Sequence, residues 1–176
     1  MSEAAAFAAW LGAAVIVLSD GRRGLTIGLA LTTVGFAVLA WLGGDMLAAA
    51  AILVGGTVAS SQRLRTGSDV WGMMPSGSTP RLILSIGAGL VALWIATSVM
   101  TGPGAPLRFA ALSVLGLMAA RIVTESEQAA VLTAVAALAL SVAMAAGISD
   151  ASPGPAPYVA AALIAIGVSV IRVRET

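Results

Sequence analysis

Residues 18–45 read LSDGRRGLTIGLALTTVGFAVLAWLGGD. From Gly24 to Leu42 this stretch has no charge and no proline, and its only polar side chains are the hydroxyls of Thr26, Thr32 and Thr33. An α-helix needs roughly 17–25 such residues to cross the hydrocarbon core of a bilayer. Both ends of the run are marked by turn-forming residues. The turn before it, SDGRR, carries two arginines, whereas the turn after it, GGD, carries an aspartate and no base. Arginine collects on the cytoplasmic side of membrane helices, so the stretch predicts an outward-running span.

Working outward, six more apolar runs appear, at residues 4–18, 46–61, 82–100, 107–123, 129–148 and 158–171. The runs that begin at Ala4, Met46 and Tyr158 are slightly short and must recruit flanking residues. If the chain crosses at every run, Arg22, Arg23, Arg63, Arg65, Arg81, Arg121, Arg172 and Arg174 fall on one side, and Arg108 alone falls on the other with Asp45 and Asp150. That partition predicts an all-α polytopic transmembrane bundle of about seven spans, with its N-terminus outside and its C-terminus in the cytoplasm. Residues 1–176 then form a single transmembrane domain in a prokaryotic cell membrane, with one sizeable cytoplasmic loop, 62–81, between spans three and four. The first run reads as a span and not as a cleaved leader, because Ser2 and Glu3 stand where a signal peptide carries positive charge.

Composition agrees. Of the 176 residues 59% are apolar and 10% charged, against about a quarter charged in soluble domains, so the chain needs lipid as its solvent. A net charge of +1 gives no footprint for nucleic acid. The absence of cysteine and histidine removes thiolate zinc sites, iron–sulfur clusters, disulfides, histidine-ligated haem and histidine general bases. No cofactor and no metal is expected.

Small residues recur four apart at Gly24/Gly28, Gly116/Ala120, Ala139/Ala143, Ala143/Gly147 and Ala161/Ala165, a spacing that lets helices approach closely. Trp10, Trp41, Trp94 and Tyr158 sit near span ends and read as interface anchors. Within the spans the polar content is almost all hydroxyl: Thr26, Thr32, Thr33, Thr57, Ser60, Ser85, Thr97, Ser98, Ser113, Thr133, Ser141 and Ser169. Their expected role is bonding to backbone carbonyls of their own or a neighbouring helix.

Few residues are left to carry function. Arg108, on the outer side at the start of span five, either reaches the headgroups, pairs with a carboxylate or binds an anion. Arg121 and Glu125 are spaced for an i,i+4 ion pair, with Glu127 beside them, and read as a contact point at the cytoplasmic face. Trp71, Met73 and Met74, in DVWGMMP, are unusually apolar for a cytoplasmic loop and read as a contact with the bilayer surface or with another subunit. There is no acid, base, nucleophile or metal cluster to nominate as catalytic.

The segments LSDGRRGLTIGLAL (18–31), VASSQRLRTG (58–67) and LGLMAARIVTESEQAAVLTAVAALALS (115–141) resemble component E of hydrogenase-4-type complexes, whose C-terminal part is similar to the K subunit of respiratory complex I. WLGGDMLAAAAILVGGTVA (41–59) is faintly similar to the third span of the J-type subunit. The resemblance implies seven spans, arginines after spans one, three and five, and membrane-subunit partners. It also implies carboxylates in the later helices, and spans six and seven here contain none. The reading is therefore a non-catalytic membrane subunit of a complex-I-like or hydrogenase-linked assembly, partnered by lipid and by other membrane subunits or further copies of itself. The alternative is a small-solute transporter or channel built on a three-plus-three inverted repeat of spans two to four and five to seven, with Gly55–Gly56 and Gly87–Gly89 as weak points.

Overall fold

The first two helices lie against each other with almost nothing between them. α1 (Ser2–Leu18) and α2 (Arg22–Leu42) run antiparallel, and a Cβ built on Gly12 would stand 2.5 Å from the Gly28 carbonyl oxygen. One on Gly35 would stand 2.6 Å from the Ala5 carbonyl. Thr32 uses this proximity: its hydroxyl donates to the Gly28 carbonyl on its own helix at 2.9 Å and lies 3.3 Å from the Ala9 carbonyl on α1. The computed structural model describes residues 1–65, 102, 104–149 and 154–171, together with Ile83, Gly87, Leu90, Val91 and Trp94.

A tight glycine turn links α2 to α3 (Met46–Arg65). Gly44 has φ +87°, a left-handed conformation that favours glycine. The N–H groups of Gly43, Gly44 and Asp45 return to the carbonyls of Leu39, Trp41 and Ala40, closing the end of α2. Asp45 then starts α3, its carboxylate Oδ1 accepting the Ala48 N–H at 2.8 Å. In the second half of the chain, α4 (Ala105–Thr124) and α6 (Ala156–Val170) each open with proline in the first turn, where its missing N–H costs nothing. Between them runs α5 (Gln128–Ser149).

These helices form two rows of three. α1, α2 and α3 pack in sequence, as do α4, α5 and α6, and α1 then faces α4, α2 faces α5 and α3 faces α6. Facing helices at the two flanks run parallel, since the residues that follow α1 meet the last turns of α4, and Arg63 near the end of α3 meets Val168 near the end of α6. α3 therefore finishes at one end of the bundle and α4 begins at the other. The end holding Arg63 and Arg121 is called the arginine end below.

The packing is inside-out by the standards of a soluble protein. Buried faces are built from Ala, Gly, Thr and Ser with a few larger side chains such as Phe36, Leu29 and Met118. Outward faces carry Phe7, Val34, Trp41, Val54, Leu163 and Ile164, all exposed. Small residues inward and large apolar residues outward suit a bundle solvated by lipid, where close backbone approach and dispersion hold helices together. Four helices, α2 to α5, are long and apolar enough to cross a membrane, and α1 and α6 are shorter at 17 and 15 residues. Ile83, Gly87, Leu90, Val91 and Trp94, the described positions of the run 82–100, have helical backbone and are all exposed, in the spacing of one helix face.

The expected carbonyl bonds of the hydroxyls are present at Thr26, Thr32, Thr33, Thr57, Ser113, Thr133, Ser141 and Ser169. Ser60 differs: its buried Oγ has no hydrogen-bond partner among the described residues. Ser85, Thr97 and Ser98 lie outside the described residues. Among the spaced small pairs, Gly28 lies in close contact with α1 and Gly24 abuts Ser19 of the α1–α2 turn, whereas Gly116 has nothing near the position its Cβ would take. Gly55 and Gly56 do not interrupt α3. They are where Ala162 of α6 and Thr33 of α2 come against it.

Candidate functional site

Polar chemistry sits at the two ends of the bundle. At the arginine end, the α1–α4 flank buries Arg121, which is 3% exposed. Its Nη2 donates to the Ser19 carbonyl at 3.1 Å and to Asp20 Oδ1 at 2.5 Å, and its Nη1 lies 2.9 Å from Glu125 Oε2. Helix α4 stops at Thr124, and Glu125 leaves it in extended backbone, yet its side chain folds back onto Arg121. The other oxygen, Oε1, accepts the N–H groups of Ser126 and Glu127 at 2.8 and 2.9 Å, which fixes the turn into α5. Glu127 contributes its carbonyl to Val131 in the first turn of α5. One guanidinium thus ties together the ends of α1 and α4 and the start of α5.

The sequence paired Arg121 with Glu125 but treated that pair as a surface contact and missed Asp20. The pair is buried, because the SDGRR turn covers it. Asp20 and Arg121 are 101 residues apart, and the available signal was that both breaks fall on the arginine-rich side.

The α3–α6 flank of the same end buries a second arginine in a different way. Arg63 is 2% exposed, and its Nη2 donates to the Val168 carbonyl at 3.3 Å. Among the described residues Nη1 has no hydrogen-bond partner and no carboxylate pairs with this guanidinium. Ser60, one turn earlier on the same helix, also has a buried side-chain oxygen with no hydrogen-bond partner among the described residues. Carbonyls near the end of α6 provide partial negative charge and nothing more.

At the opposite end, the α2–α3 turn, the start of α4 and the α5–α6 hairpin enclose a cavity of about 410 Å³. Leu39, Leu107 and Met144 form apolar walls, and Asp45 and Tyr158 also line it. Tyr158 packs inside the bundle: it is 6% exposed, and its hydroxyl lies where a Cβ on Gly147 would come within 2.6 Å. Trp10 is half-buried beside Phe7, ring centroids 5.5 Å apart, while Trp41 and Trp94 are exposed.

The structure therefore brings Arg121, Glu125 and Glu127 together with Asp20 and leaves Arg108 at the other end, partly buried near Gly104 in the first turn of α4. Trp71, Met73 and Met74 lie outside the described residues. No family model, curated protein or solved structure matches the chain.

Proposed function

We propose that the chain is a non-catalytic integral membrane subunit of a larger assembly, of the complex-I-like or hydrogenase-linked kind. The observation that carries this reading is Arg63. A guanidinium remains charged in any protein environment, and burying one with a single neutral acceptor is costly. Buried polar groups normally find their partners within the chain. Here two of them, Arg63 Nη1 and Ser60 Oγ, share one corner of the bundle and have none among the described residues. Around them the α3 and α6 faces expose Val54, Leu64, Leu163 and Val170. A neighbouring subunit that covers this face and offers a carboxylate would complete the corner. Arg63 lies in the last turn of α3, from which a long side chain can swing outward to meet it.

In this reading the chain crosses a prokaryotic cell membrane seven times with its arginine end in the cytoplasm. Support for the count comes from the connection between α3 and α4, which starts at one end of the bundle, finishes at the other and contains the apolar run 82–100. Support for the orientation comes from the arginines. The transporter alternative fits less well, since α3 is unbroken at Gly55–Gly56, one of its two weak points.

The test is extraction of the tagged chain from its own membrane in mild detergent, with a photoreactive residue at position 64 beside Arg63. Specific larger membrane proteins are expected to co-purify and to crosslink at that position. A chain that elutes alone, monodisperse and stable, with no crosslinked neighbour, overturns the proposal.

A further inference from the structure

The cavity at the end opposite Arg63 and Arg121, the end that also holds Arg108, contains two polar groups with unspent bonding capacity. Asp45 Oδ1 is engaged by the Ala48 N–H, and among the described residues Oδ2 has no hydrogen-bond partner and no cation pairs with the carboxylate. The Tyr158 hydroxyl also has no hydrogen-bond partner among the described residues, although a buried tyrosine normally finds one. Both line the same space, and among its described residues no basic side chain does. The remaining wall is apolar, and about 410 Å³ falls within the range that small-molecule sites occupy.

We propose that this cavity binds a small organic amine as its ammonium ion. The Asp45 carboxylate supplies the counter-charge, the Tyr158 hydroxyl oxygen accepts an N–H bond, and Leu39, Leu107 and Met144 take the apolar part of the ligand. An anion is excluded by Asp45. A neutral apolar molecule would leave both polar groups unpaired in a partly dehydrated space, which disfavours it. A bare metal ion would meet one carboxylate and one phenol, too few oxygen ligands for a hard cation. An ammonium group uses both, and charge-assisted bonds of this type are the stronger ones.

The experiment is calorimetric titration of the purified chain in phosphatidylcholine nanodiscs with benzylamine, and with benzyl alcohol as the neutral analogue. Benzylamine is expected to saturate and benzyl alcohol not to compete. Asp45→Asn should weaken benzylamine binding by about tenfold or more, since it removes the charge. Asparagine caps a helix as well as aspartate does, so the fold is expected to survive, which thermal melting checks. Tyr158→Phe keeps the ring and the packing and should weaken binding by a smaller factor. Nanodiscs containing phosphatidylethanolamine add a second arm: competition by the lipid identifies its headgroup as the amine, and lack of competition identifies a free amine, both supporting the site. No saturable benzylamine binding to the unsubstituted chain, or binding to folded Asp45→Asn within twofold of it, overturns the proposal.

Discussion

Arg121 and Asp20 meet at 2.5 Å across 101 residues of chain and join the last turn of α4 to the turn that follows α1. Glu125 approaches the same guanidinium with a side chain only 2% exposed. Removing the cation would leave two carboxylates facing each other in a covered site. Breaking a buried pair by deleting one partner typically costs about 3–5 kcal/mol, far more than the pair contributes against an apolar substitute. Arg121→Ala is therefore expected to lower the thermal midpoint in detergent sharply, and Arg121→Lys to recover only part of the loss, because lysine lacks the forked donors that reach both acids and the Ser19 carbonyl. Glu3→Ala, which breaks an exposed pair with the N-terminal amine, serves as the control and should melt with the unsubstituted chain. An Arg121→Ala midpoint equal to that of the control would refute the buried latch.

Glycines in this bundle divide into two groups with opposite expected responses. At Gly12 and Gly35 an added methyl meets backbone atoms of the neighbouring helix at 2.5 and 2.6 Å, so alanine there must push α1 and α2 apart. Overpacking of that kind costs about 1–3 kcal/mol. Gly116 and Gly167 lie within helices with nothing near the added methyl, and alanine there should stabilise by about 0.5–1 kcal/mol through helix propensity. The check is the sign of the change in melting midpoint at each of the four positions. A loss of stability at Gly116→Ala comparable to that at Gly12→Ala would mean that the α1–α2 contact is not the tight one.

The helices themselves were legible in the sequence because their signal is local. The run that begins at Gly24 needs only its own composition and its flanking SDGRR and GGD turns to be recognised, and α2 covers it nearly residue for residue. Hydroxyl bonding was legible for the same reason, since Thr33 to Leu29 and Thr133 to Ala129 are contacts one turn away. Contacts between helices were not. Gly28 and Gly116 both belong to small-residue pairs of the same spacing, yet only Gly28 lies against another helix, because spacing does not say which face is turned inward. Asp20, the cavity behind Asp45 and Tyr158, and the burial of Arg63 against a backbone carbonyl all depend on which helix ends meet, and the sequence holds that information only in the fold as a whole.

The proposed topology, seven crossings with the arginine end inside, makes a clean labelling prediction, since the sequence has no cysteine. Gly43 lies at the α2–α3 turn with φ −74°, a conformation any residue can adopt, and is exposed. Ser126 is exposed at the arginine end between α4 and α5. In intact cells a membrane-impermeant maleimide is expected to label Gly43→Cys and not Ser126→Cys, and permeabilisation should make both reactive. The reverse pattern would invert the orientation. Labelling of both in intact cells would remove the membrane assignment of α2 to α5.

Arg63 and Arg121 should respond to substitution in opposite directions, although both are buried at the same end. Arg121 is matched by two acids, so its loss exposes their repulsion. Arg63 is matched by a carbonyl alone, so replacing it with an apolar side chain of similar length removes a desolvated charge and orphans no acid. Replacing buried charge by well-packed apolar residues is often neutral or stabilising, by up to about 1–4 kcal/mol. Arg63→Met is therefore expected to leave the isolated chain as stable as before, or more so, in detergent melts. The same substitution should reduce the recovery of co-purifying membrane proteins from native membranes, because the charge that a partner's carboxylate would meet is gone. Loss of stability without loss of association would make Arg63 a structural residue of this chain alone, and the α3–α6 face would then have no claim to be a subunit interface.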